Sequence, residues 1–145
     1  MYGVTQSVSY SFNGTDIGDQ SEFKGYDGLH VETENSPIKI LISNRSSCCE
    51  SWNIKMYWDE ENDTYEGEDA TEVCEKLKDK KIQSVVHRID REAKLNKVSS
   101  ETSYACADIV TDSGVLHVDL SNHHNGYYPH DILLVWLDTC ISDSI

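Results

Sequence analysis

From residue 52 to residue 58 the chain alternates without a break. Trp52, Ile54, Met56 and Trp58 fall on one parity; Asn53, Lys55 and Tyr57 fall on the other. Successive side chains of a strand point to opposite faces, so this segment predicts a strand that buries its tryptophan face. The pattern recurs along the chain. Val4, Val8, Tyr10 and Phe12 occupy even positions among polar neighbours and predict a half-buried strand with these four on one side. The stretches 29–33 and 38–42 predict two more, joined by Glu34-Asn35-Ser36-Pro37. That tetrapeptide is turn chemistry, and Pro37 cannot sit inside a central strand. Residues 82–89 predict another strand. The stretches 102–111 and 115–121 predict a hairpin across Asp112-Ser113-Gly114. Residues 131–138, with Ile132, Leu133, Leu134, Val135 and Trp136, predict the closing strand.

One segment follows a different period. Ala70, Val73, Cys74 and Leu77 repeat at the spacing of a buried helical stripe. Asp69 stands at the N-cap position, and Glu72 completes a capping-box spacing. Lys76, Lys78, Lys80 and Lys81 gather toward the C-terminal end, where the helix dipole favours cations. The acidic window before it, 59–69, is expected to be a solvated loop. Residues 14–27 and 122–130 are also expected to be loops, and 91–101 a loop or a flexible extension. The count is seven or eight strands and one helix, with mostly short turns, which favours antiparallel pairing. The expected fold is α+β: a mainly antiparallel sheet or small barrel-like β-sandwich with one short helix packed on it. Residues 1–138 form a single globular domain, and 139–145 form a short C-terminal tail that should fray.

Charge narrows the partners. The chain has 145 residues, with 26 acids against 12 bases and a formal net charge of −14. Affinity for a phosphate backbone comes from Lys and Arg displacing counterions, so nucleic acid is excluded as a general partner. An anionic membrane surface is disfavoured for the same reason. A basic protein or a cation is the charge-compatible partner. No apolar run approaches the length of a membrane span. Met1-Tyr2-Gly3-Val4 lacks a basic start and an apolar stretch, so no secretory leader is expected. Five cysteines, an odd number, point to a mostly reduced intracellular protein with at least one free thiol.

Two short motifs stand out. In Cys48-Cys49-Glu50 the neighbouring thiols cannot share one strand face, and adjacent Cα atoms are too close for an ordinary disulfide. Each thiol must serve a different neighbour. In Asn125-Gly126-Tyr127-Tyr128, Asn-Gly supplies the left-handed backbone of a tight turn, and the two tyrosines present rings to opposite sides. If the two motifs meet, Cys48, Cys49, Glu50, His124, Asn125, Gly126, Tyr127 and Tyr128 form one binding locus. Cys48, Cys49, His123, His124 and His130 could offer metal ligands. The two-to-four-residue spacing of a zinc finger is absent, however, and no metal or cofactor is assigned. Nothing links Cys49 to His124 as a nucleophile and base, so no catalytic residues are assigned.

The order of these pieces resembles an uncharacterised domain family of tailed phages and large DNA viruses. Its members carry Cys-Cys-Glu after an early strand and Asn-Gly-Tyr-Tyr near the end. Here the resemblance spans residues 28–136. The acidic stretch 59–69 is longer than the family pattern, and the histidines 123, 124 and 130 are not part of it. The resemblance implies a compact domain of viral origin with no assigned activity. The expected role is that of a small non-enzymatic structural or interaction protein, a minor virion component. It would act in the host cytoplasm and the particle, against a basic host protein or capsid neighbours. The alternatives are a metal- or small-ligand-binding accessory protein at the locus named above, and an acidic inhibitor that imitates nucleic acid.

Overall fold

The computed structural model of the chain describes residues 2–12, 15–18, 25–44, 51–60, 63–65, 70–90, 101–124, 130–137 and 139–145. The elements run β1 (Gly3–Phe12), β2 (Thr15–Ile17), β3 (Tyr26–Thr33), β4 (Pro37–Ser43), β5 (Ser51–Glu60), β6 (Asp63–Tyr65), α1 (Ala70–Leu77), β7 (Lys81–Asp90), β8 (Glu101–Thr111), β9 (Val115–His124), β10 (Asp131–Trp136) and β11 (Thr139–Ser144). Every strand pair is antiparallel. The strand order is β11-β10-β4-β3-β1-β7-β8-β9-β5-β6, with β2 on β1. The fold is therefore α+β, sheet-rich and mainly antiparallel, as its alternating segments dictate.

Strand β1 divides the ladder into two halves. Its first residues, Gly3 and Val4, pair with Ile82 and Lys81 of β7, and from Thr5 onward it pairs with β3. The halves face one another. The Phe12 ring lies 5.3 Å from Trp52, and the His87 ring 5.2 Å from Trp136, each contact crossing from one half to the other. The buried apolar residues of both halves and of α1 form one cluster. On β9, Leu116, Val118 and Leu120 point into it, while His117 and Asp119 between them face out. Each such buried leucine contributes roughly 1.5–3 kcal/mol.

Helix α1 covers part of this core with Val73, Cys74 and Leu77 and packs on β1 and β5. It stops at Leu77 because Asp79 adopts the left-handed conformation at φ 64°, which cannot continue a helix. Of the lysines expected at its C-terminal end, Lys76 lies in the last turn and Lys78 pairs with Glu75 at 3.0 Å. Lys80 instead sits over the Trp58 ring, and Lys81 opens β7. Asp69 lies outside the described residues.

Five expectations change. The even-parity reading of β1 holds for Val8 and Tyr10 and fails at Val4, which is 37% exposed. The register shifts between Thr5 and Ser7, and this bulge places Thr5 inward instead. The stretch 14–27 contains β2 and the start of β3. Within the acidic window, Asp59 and Glu60 extend β5 and pair with β6, because a hairpin ladder tolerates charge on its outer side. Strand β9 runs on to His124. The tail expected to fray is strand β11, paired with β10 along six residues. Ile145 then exchanges two backbone hydrogen bonds with His130, at 2.8 and 2.9 Å, and buries its side chain. Among the described residues the strands thus number eleven, because pieces as short as β2 and β6 are too brief to announce a period.

Candidate functional site

The residues 48–50 and 125–128 of the expected locus lie outside the described residues. The described strands that bracket them do converge. Ser51, which follows Glu50, is the cross-strand partner of His123, and His124 pairs with Glu101. Paired antiparallel residues have Cα atoms only ~4.5–5.5 Å apart. The described residues next to the two segments therefore lie side by side on β5 and β9. Those at the far ends are close as well: Asn44 follows Ser43, whose backbone oxygen accepts a hydrogen bond from the buried His130 Nδ1 at 2.7 Å. The His130 ring also lies 5.5 Å from Trp52. Asn122, fully buried, donates to the Ile145 oxygen at 2.9 Å and ties β9 to the end of β11. Of the expected histidines, His130 is thus part of the scaffold. His124 closes β9, and His123 is exposed.

A second constellation occupies the outer face of the β7-β8-β9-β5 sheet. Tyr57, Val86, His87, Arg88, Cys106, Asp108, His117 and Asp119 line a cleft of about 350 Å³. Register assembles it: His117 lies opposite both Tyr57 and Asp108, and Asp119 lies opposite Cys106. The His117 ring stacks on Tyr57 at 4.6 Å and 21°. Its Nδ1 stands 2.7 Å from Asp108 Oδ1, and its Nε2 stands 3.5 Å from Asp59 Oδ2. Across the cleft, burial pushes the Cys106 thiol up to about 11. The Asp119 charge and the hydrogen bond between the two side chains push the same way, while Arg88 opposes them by hydrogen bonding to the sulfur. The Tyr57 hydroxyl is raised by burial first and by Asp119 and Asp108 after it.

These values decide what the cleft can do. A thiolate is the reactive form of cysteine, and Cys106 stays protonated at neutral pH. Both ring nitrogens of His117 face carboxylates, so neither is directed at a thiol or hydroxyl as a general base. Among the described residues, no group of three or more His, Cys, Asp or Glu is arranged to hold a metal ion. No helix of the described residues is long and apolar enough to cross a membrane. The arrangement suits recognition: a flat aromatic wall, three carboxylates and one guanidinium on a rigid sheet.

Sequence reasoning passed over this cleft. All of them except His87 sit on the outward parity of their strands, which is a signal that could be read. Which outward residues become neighbours is set by cross-strand register, and a single strand's pattern does not contain it.

No curated protein and no solved structure matches the chain. A family pattern described as a domain of unknown function matches residues 6–134. The match begins within β1, earlier than the resemblance spanning 28–136, and ends in β10, so it takes in both halves of the ladder. By this match over most of its length, the chain belongs to the family Domain of unknown function (DUF7448).

Proposed function

We propose that this chain is a small virus-encoded, non-enzymatic interaction protein and a minor component of the particle, working by surface contact in the host cytoplasm and the virion. The observation that carries the non-enzymatic part is the state of the outer cleft. Its thiol is held protonated and its histidine is flanked by two carboxylates. The viral part rests on the Cys48-Cys49-Glu50 and Asn125-Gly126-Tyr127-Tyr128 motifs and their order. The charge of −14 favours basic neighbours, whether host proteins or capsid subunits. Quantitative mass spectrometry of purified particles is the test. A fixed copy number per particle supports the reading. Absence from particles, together with a chain that stays strictly monomeric and captures no partner, defeats it.

A second reading has one observation in its favour. The pairing of Ser51 with His123 brings the described neighbours of the two signature segments side by side, which suits a metal- or small-ligand-binding accessory protein using Cys48, Cys49, His124 and the 125–128 turn. Native mass spectrometry with and without reductant distinguishes it: a stoichiometric ion or small molecule supports this reading, and a bare chain removes it.

A further inference from the structure

Strand β7 is bonded unequally on its two sides. Toward β8 it pairs along its length, from Ile82 to Asp90. On the other side, β1 pairs only with Lys81 and Ile82 and then turns away to β3. Among the described residues, no strand pairs with that edge beyond Ile82. The side chains there agree. Val86, His87 and Arg88 are three consecutive exposed residues, so both faces of the strand reach solvent, and Val86 is 58% exposed. An open run of backbone donors and acceptors is a template for one more strand.

The surroundings of Val86 specify what that strand carries. Val86 is the cross-strand partner of Asp108, and Asp108 faces the outer cleft with Asp119 and His117 beyond it. Strands in a sheet lie ~4.8 Å apart, so a residue added opposite Val86 sits ~10 Å from the backbone of Asp108. That distance is within the combined reach of a lysine stem and an aspartate. The short, exposed Val86 side chain leaves room for the stem to lie across it with its charge at the carboxylate. Arg88, the base on the same face, is turned toward Cys106. An acidic chain also draws a basic segment and repels a second copy of itself.

We infer that the β7 edge over residues 84–90 takes up an extended basic segment of a partner protein as an added antiparallel strand, with a Lys or Arg opposite Val86 paired to Asp108. This inference rests on the reading of the chain as an interaction protein and names the surface and the partner chemistry.

The probe is a capped peptide of alternating lysine and valine, used with the full chain. Two controls accompany it: the same peptide N-methylated at alternate residues, and a version with glutamate for lysine. Calorimetry should show saturable binding of the first peptide, with affinity at least about tenfold weaker for both controls. Amide hydrogen exchange should slow across 84–90 and not along β11. Val86→Arg, at an exposed position that leaves the core intact, should weaken binding about tenfold by placing a like charge in the lysine's path. Asp108→Asn should flatten the salt dependence. Equal binding by the N-methylated peptide, or no slowing at 84–90, overturns the proposal. So does concentration-dependent protection of 84–90 without peptide, which would assign the edge to a second copy. A failed peptide test with the chain still found in particles removes this edge alone and leaves the broader reading standing.

Discussion

Strands β4 and β9 each lie inside the ladder with neighbours on both sides, yet they are covered differently. On β9, burial alternates strictly from Leu116 to Asn122, and the outward residues His117 and Asp119 serve the cleft. On β4, Ile40, Leu41, Ile42 and Ser43 are all buried, so its two faces are both shielded. The difference shows where this fold keeps a usable surface. At β4 both faces go to packing, whereas β9 packs one and leaves a polar layer whose residues are paired with each other and reachable from solvent.

The largest expected effect tests the packing of β3 on β4. Gly28 on β3 has φ 142°, and a Cβ there would lie 2.1 Å from the Ile40 oxygen and 2.9 Å from the Leu41 Cα. Backbone cannot yield as a flexible side chain does. Gly28→Ala should therefore destabilise by roughly 4 kcal/mol or more, read by denaturant unfolding. An unchanged midpoint would mean β3 and β4 do not approach this closely.

The next test lies within β9. Leu120→Ala should cost about 3 kcal/mol, while Asp119→Asn one residue earlier should stay within ~0.5 kcal/mol. Similar losses at both positions would break the contrast between the strand's two faces.

Thiol reactivity sharpens the same contrast by chemistry. Cys106 should alkylate slowly at neutral pH in the folded chain. Its rate should rise about tenfold per pH unit until it levels near the pKa of about 11, because only the thiolate reacts. Of the three described cysteines, Cys140, exposed, should react first, and Cys74, buried on the core side of α1, last. Peptide mapping after timed iodoacetamide treatment gives the order. A plateau for Cys106 near pH 9, the ordinary thiol value, would show that burial and Asp119 do not hold the proton.

The smallest effect concerns the hairpin that ends the β4 half. Leu137, between β10 and β11, has φ 40°, a conformation that favours glycine. Leu137→Gly should raise stability by up to about 1 kcal/mol, visible as a higher Tm. A lower Tm would show that the leucine, though exposed, contributes more by contact than it loses by strain.

Much of the ladder was legible in advance. The inward parity of β5 and the stripe of α1 follow from side-chain periods that a few residues fix. The missed pieces have other causes. A bulge at Thr5 to Ser7 reverses parity without any mark in composition. Strands as short as β2 and β6 are stabilised by the neighbour they pair with, not by their own pattern. Residues 139–145 looked like a tail because Thr139, Ser142, Asp143 and Ser144 dilute their apolar content, yet they satisfy the outer edge of β10.

The candidate site was less legible than the fold. The motifs at 48–50 and 125–128 could be picked out by chemistry, but only the Ser51–His123 pairing shows that their described neighbours meet. The cleft around His117 was visible only as outward-facing residues scattered over four strands. Sequence by itself determined which residues could be strand or helix, which face each would bury, and the acidic net charge. Tertiary structure decided that His117 meets Asp108 and Asp59, that Cys106 keeps its proton beside Asp119, and that no strand among the described residues pairs with β7 beyond Ile82. The physical reason is range. Periodicity and charge are properties of adjacent residues, whereas register is settled collectively by every cross-strand pair and by the loops that join the strands.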